Sequence, residues 1–133
     1  MQQLPSVQLL PELMSYPVIP GTPSTEVLET IAKHRPDDVY VEWSVNEKAA
    51  MELAAGASYA GARSMVTMKQ VGLNVASDPL MSLEYVGIKG GMVILVADDP
   101  GPISSQTEQD TIHFPDFPSC LALTHLRHRK LMR

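Results

Sequence analysis

The sequence predicts an α/β protein: an open, mainly parallel sheet flanked by helices. Three observations carry that prediction. Short β-rich runs alternate with helix-length segments, and strands so separated need crossovers and pair in parallel. Residues 92–97 (MVILVA) are a continuous apolar run, as expected of a strand covered on both faces. Polar segments fall at 44–47, 68–72 and 98–109, the last two bearing Gly or Pro, each just after an expected strand, where ligands of such sheets sit.

The elements follow in order. Residues 1–14 hold no clear period and are interrupted by Pro5 and Pro11; 15–19 is a short extended candidate that turns at Pro20-Gly21. Thr22 is a good N-cap, and Pro23 suits the first helical position, where a missing N–H costs nothing. Val27, Leu28, Ile31 and Ala32 then make one apolar helical face, which Arg35-Pro36 ends. Residues 39–43 (VYVEW) are β-rich and predict a strand. A helix over 44–61 carries six alanines and two glycines, small residues that let a neighbour approach closely. A second strand is expected at 63–67, a turn at Lys69-Gln70-Val71-Gly72, and a helix over 73–87 that breaks at Asp78-Pro79. After Asp110 the pattern fails, and 121–133 shows only a loose helical period. No internal repeat is visible.

Composition narrows the function. With 133 residues, one domain or a piece of one is expected. The net charge of -5 gives no general affinity for nucleic acid. It is uneven: residues 113–133 carry four Lys/Arg against Asp116, and the remainder is correspondingly more acidic. A basic arm at 127–133 that binds an acidic partner or nucleic acid is the weaker of two readings; a solvated end is the stronger. The single cysteine excludes a disulfide framework and a cysteine metal site and fits a reducing cytoplasm. No apolar run approaches the roughly 18 residues of a membrane span, and no signal peptide is recognisable.

The chemistry-bearing residues each have two readings. Ser44 followed by Glu47 fits a capping box, in which Glu47 reaches back to the Ser44 N–H. Equally, Glu47 is a first-turn carboxylate at a strand's carboxyl end, able to hold a proton against a heteroaromatic nitrogen. The turn Gly21-Thr22-Pro23-Ser24 offers N–H groups and hydroxyls to an anion, or is an ordinary cap. Asp98-Asp99 suggests a carboxylate pair but has no third metal ligand at a diagnostic spacing; a strand-end turn is simpler. His125 and His128 would meet on a helix face, which is weak evidence for metal. No metal site is expected in this chain. The eight methionines read as core filler. Neither GxxxxGK[ST] nor GxGxxG occurs, so those nucleotide sites are not supported.

Longer stretches carry a resemblance. PGTPSTEVLE (20–29), the whole of 42–102 beginning EWSVNEKAAMELAAGASYAGARSMVTMKQVGL, and SSQTEQDT (104–111) closely resemble the alpha subunits of indolepyruvate:ferredoxin oxidoreductases. These belong to the thiamine-diphosphate-dependent 2-oxoacid:ferredoxin oxidoreductases. The resemblance implies that 16–111 is the domain binding the cofactor's aminopyrimidine ring, in a thiamine-diphosphate-binding fold incomplete at both ends. Residues 1–15 would be an atypical lead and 112–133 a basic tail, truncated or frame-shifted.

The same resemblance implies roles. Glu47 would be the activating carboxylate at ring nitrogen N1′, with Asn46 beside it; Lys69, Gln70, Gly72 and Leu73 would lie along the ring; Gly21, Thr22, Pro23 and Ser24 would face the substrate carboxylate. The implied reaction is oxidative decarboxylation of an arylpyruvate such as indolepyruvate to an acyl-coenzyme A, with ferredoxin as electron acceptor. The GDG…N motif that binds diphosphate and Mg2+ and the cysteines of the [4Fe-4S] clusters are absent from these 133 residues. The expectation is therefore a cytoplasmic, membrane-free oligomer with a complementary diphosphate-binding domain or beta subunit, the chain alone being inactive. The rival reading is a non-catalytic remnant or interaction module that pairs with a full-length relative.

Overall fold

A computed structural model of the chain describes residues 24–99, 101, 105–111 and 121–127; for residues 24, 28 and 121–127 it describes the backbone only. The elements are α1 (Ser24–His34), α2 (Glu47–Tyr59), β1 (Ser64–Lys69), α3 (Gln70–Val86), β2 (Met92–Asp98) and β3 (Leu121–Arg127). The strands form one sheet in the order β1-β2-β3. Both pairings are parallel: Ser64 stands opposite Met92 and Lys69 opposite Ala97, then Met92 opposite Leu121 and Asp98 opposite Arg127. All three strands therefore end on the same edge. This is the α/β parallel architecture that the alternation of elements predicts.

Period two along the strands divides the core. Val66 and Met68 of β1 and Met92, Ile94 and Val96 of β2 face one way. They pack with Met51 and Ala54 of α2 and with Leu73, Ala76, Leu80 and Leu83 of α3. Met65 faces the other way and meets Val39, Val41 and Ile31 of α1. Each large apolar side chain so buried is worth about 1.5–3 kcal/mol against exposure. The alanines of α2 serve the close packing expected of them: Ala50, Ala54, Ala55 and Ala57 are buried, and Gly61, at φ 99°, turns the chain after the helix.

The amino edge of the sheet is tied shut. The Gly90 N–H donates to the Ser58 carbonyl at 2.8 Å, and the Ser64 N–H donates to the Gly91 carbonyl at 2.9 Å. The Ser58 and Ser64 hydroxyls share a buried hydrogen bond of 2.9 Å. The carboxyl edge is where loops and polar groups gather.

Several elements depart from expectation. Residues 39–43 do not join the sheet among the described residues. The Val39 N–H is taken by the Pro36 carbonyl at 3.1 Å and its carbonyl by the Arg35 guanidinium at 3.0 Å, so its ladder groups are satisfied locally. The segment still buries Val39. Helix α2 starts at Glu47, not Ser44. Lys69-Gln70-Val71-Gly72 is not a turn: Lys69 is both the last residue of β1 and the N-cap of α3, which begins at once. Nor does α3 break at Asp78-Pro79. It runs through Pro79, because Ala76, Leu80 and Leu83 bury a continuous stripe against the core and outweigh one lost hydrogen bond. Residues 121–127 form a strand rather than a helix, since the open edge of β2 offers a full parallel ladder that local period cannot reveal. His125 therefore lies in a strand, which removes the helical face proposed for it and His128.

Candidate active site

Asn46 organises the approach to the site. Its backbone is extended, at φ -162° and ψ 169°, and its side-chain oxygen accepts from the Ala49 N–H at 2.8 Å. Asn46 is thus the N-cap of α2, and Glu47 is the first helical residue. The capping box is not made: the Ser44 hydroxyl donates instead to Glu42 at 3.1 Å. Tyr40 donates to the other Glu42 oxygen. Foremost that bond, then burial and the nearby negative charge, hold the Tyr40 phenol above its ordinary range.

Freed from capping, the half-buried Glu47 side chain lies against the first turn of α3. A Cβ built on Gly72 would stand 2.6 Å from Glu47 Oε1, 2.7 Å from Cγ and 2.9 Å from Cδ. Only glycine leaves room for the carboxylate there. Among the described residues, that carboxylate has no hydrogen-bond or ion-pair partner. Two segments far apart in sequence, the cap of α2 and the end of β1, thus meet at the sheet's carboxyl edge.

The same turn holds Gln70, which is 0 % exposed. Its Nε2 donates to the Thr107 carbonyl at 3.4 Å, while its buried Oε1 has no partner. Leu73, likewise 0 % exposed, belongs to the core cluster and anchors the turn from beneath. Lys69 supplies no side-chain cap to α3, so the side chain of the cap residue does not satisfy the helix's first N–H groups. Nearby, Lys48 and Asp78 bridge α2 to α3 at 2.6 Å, and this hydrogen bond, with the Asp78 charge, raises the Lys48 pKa.

Residues 105–111 cross the carboxyl edge as a strap. Asp98, 2 % exposed at the end of β2, accepts from the Thr111 hydroxyl at 2.6 Å and from its N–H at 3.2 Å. Asn74 and Gln109 exchange two amide hydrogen bonds, of 2.8 and 3.1 Å. Asp98 therefore acts as a strand-end anchor, and no group of three or more His, Cys, Asp or Glu suited to a metal occurs among the described residues.

Of the residues singled out in sequence, Asn46, Glu47, Lys69, Gln70, Gly72 and Leu73 come together at this edge. Gly21, Thr22 and Pro23 lie outside the described residues, as does the side chain of Ser24. The Asp98–Thr111 and Asn74–Gln109 pairs were not foreseen. A partial signal existed: Asn74 follows Gln70 by four residues, which places two carboxamides on one helical face.

Residues 10–113 match the family described as pyruvate flavodoxin/ferredoxin oxidoreductase, thiamine diphosphate-binding. The chain belongs to this family. Among curated relatives of this thiamine-diphosphate-binding domain, indolepyruvate oxidoreductase subunit IorA of Pyrococcus horikoshii is 54% identical over 97 residues, covering 72% of this chain and 15% of that protein. Its counterpart from Methanothermobacter thermautotrophicus is 54% identical over 107 residues, covering 78% and 17%. A solved structure agrees: 2-oxoglutarate:ferredoxin oxidoreductase from Magnetococcus marinus, with 2-oxoglutarate, coenzyme A and succinyl-CoA bound. It superposes with a TM-score of 0.60 at 28% identity, over 69% of this chain and 16% of that one. The chain thus spans about one sixth of the length of these relatives. No described helix is long and apolar enough to cross a membrane.

Proposed function

We propose that residues 16–111 supply the aminopyrimidine half of a thiamine diphosphate site, with Glu47 as the carboxylate that holds a proton at ring nitrogen N1′. The observation that carries this reading is the placement of Glu47: half-buried at the carboxyl edge, without a partner among the described residues, against a turn that Gly72 keeps open. The carboxylate fits the ring: without a partner among the described residues, it suits a ring nitrogen that must gain a proton. When bound, the cofactor supplies the carbanion chemistry that breaks the bond between a 2-oxo carbon and its carboxylate. Asn46 fixes the rotation of the α2 terminus, and so the aim of Glu47. Lys69, Gln70, Gly72 and Leu73 form the wall along the ring. Gly21, Thr22, Pro23 and Ser24 receive the substrate carboxylate.

The reaction we infer is oxidative decarboxylation of an arylpyruvate such as indolepyruvate, with coenzyme A taking the acyl group and ferredoxin the electrons. Diphosphate and Mg2+ are held by a complementary domain or subunit, and the [4Fe-4S] clusters lie outside these residues. The test is titration with thiamine diphosphate and Mg2+, with and without that complementary domain, comparing wild type with Glu47→Gln. Gln keeps the shape of the side chain but cannot carry the charge. Turnover of the reconstituted enzyme is expected to fall by about 100-fold or more; equal turnover of the two proteins would refute the assignment.

A further inference from the structure

We propose that the Asn74–Gln109 amide pair positions Glu47, by clamping the helical turn that Glu47 rests on; this rests on the reading of Glu47 as the group that meets the cofactor. At 3.6 residues per turn, Gln70 and Asn74 share a face of α3, while Gly72 lies about 160–200° around the axis from both. The observed contacts obey this geometry. Gln70 and Asn74 reach the strap, through the Thr107 carbonyl and Gln109, and Gly72 meets Glu47. The first turn of α3 is therefore a spacer between the strap and the carboxylate.

That turn needs holding. It follows β1 without a loop, and the side chain of the cap residue Lys69 does not cap its N–H groups. First turns fray because their N–H groups have no intrahelical partners. The strap is itself rooted at Asp98 through Thr111. Gln70 grips it with a single long bond of 3.4 Å, whereas Asn74 and Gln109 grip each other twice. The reciprocal pair fixes the strap's register on the helix, and through Gly72 it fixes where the Glu47 side chain can stand.

The experiment uses the whole chain, isotopically labelled, and reads the nuclear Overhauser effect between the Glu47 γ-protons and the Gly72 α-protons. Asn74→Ala and Gln109→Ala are each expected to weaken this effect several-fold. The exchanged double variant, Asn74→Gln with Gln109→Asn, keeps the summed side-chain length and is expected to restore it. Because the pair is exposed, the thermal midpoint should fall by no more than about 5 °C in the single variants. An effect unchanged in both single variants would overturn the proposal, and so would a loss that the exchange does not repair. Should Asn74→Ala fail to fold, Gln109→Ala in the strap carries the same comparison. A parallel titration with thiamine diphosphate and Mg2+, on the chain joined to its complementary domain, separates the two claims: if the wild type does not bind, the cofactor reading fails while the proton contact still decides the positioning.

Discussion

At Gly72 two requirements meet. The residue lies inside a helix, where alanine is more stable by about 1 kcal/mol. It also borders Glu47 so closely that a methyl group would stand 2.6 Å from a carboxylate oxygen. The clash falls wholly on the Glu47 side chain, from Cγ to the carboxylate, so the fold can absorb it by turning Glu47 away. Gly72→Ala is therefore expected to leave the thermal midpoint unchanged or slightly raised. Thiamine diphosphate binding, measured by calorimetry on the chain joined to its complementary domain, should weaken about tenfold or more, equivalent to about 1.4 kcal/mol. Stability and binding moving together would mean that Gly72 serves packing alone. The sequence showed Glu47 as a candidate but left it divided between a capping box and a cleft. The capping box falls away once Asn46 takes the cap, because a helix capped two residues later points Glu47 toward a different neighbour.

Among the elements, α2 and its cap govern the site. Asn46→Ala removes the bond to the Ala49 N–H and should cost about 1 kcal/mol in chemical denaturation, with Asn46→Ser recovering most of it. A loss far below this would show that the α2 terminus is held by other means. The Lys48–Asp78 bridge links α2 to α3 at the surface. Its hydrogen bond and charge raise the Lys48 pKa in the folded state, so its contribution is present below the ordinary lysine value and fades as pH rises through the folded one. Asp78→Asn is thus expected to lower the thermal midpoint slightly at neutral pH, with the difference closing in strongly alkaline solution; a constant gap would assign the effect to something other than the ion pair. Element type was legible wherever period and length were strong, as in α1, α2, β1 and β2. It failed at 39–43, at Pro79 and at 121–127. In each case a partner remote in sequence, or a local capture of backbone groups, overrode the propensity of the segment.

For the molecule as a whole, parallel pairing places every described strand end on one edge, and the polar groups of the α2 cap, the start of α3 and the strap converge there. The opposite edge is closed by the Ser58, Ser64, Gly90 and Gly91 hydrogen bonds. In the proposed reading this edge is one wall of the cofactor site, and the chain spans about one sixth of the length of its relatives. The purified chain is accordingly expected to give no indolepyruvate-dependent ferredoxin reduction until a complementary domain is added; turnover by the chain alone would show that these residues hold the whole site. By itself the sequence determined the α/β class, the parallel order implied by its crossovers and Glu47 as a candidate carboxylate. These follow from period, turn chemistry and local spacing. Only the tertiary structure decided which cap frees Glu47, which glycine admits it, and how the strap bolts the intervening turn. The cap is a contact between neighbours, Asn46 and Ala49, but the glycine and the strap depend on contacts between residues 25 to 37 positions apart, which no local pattern encodes.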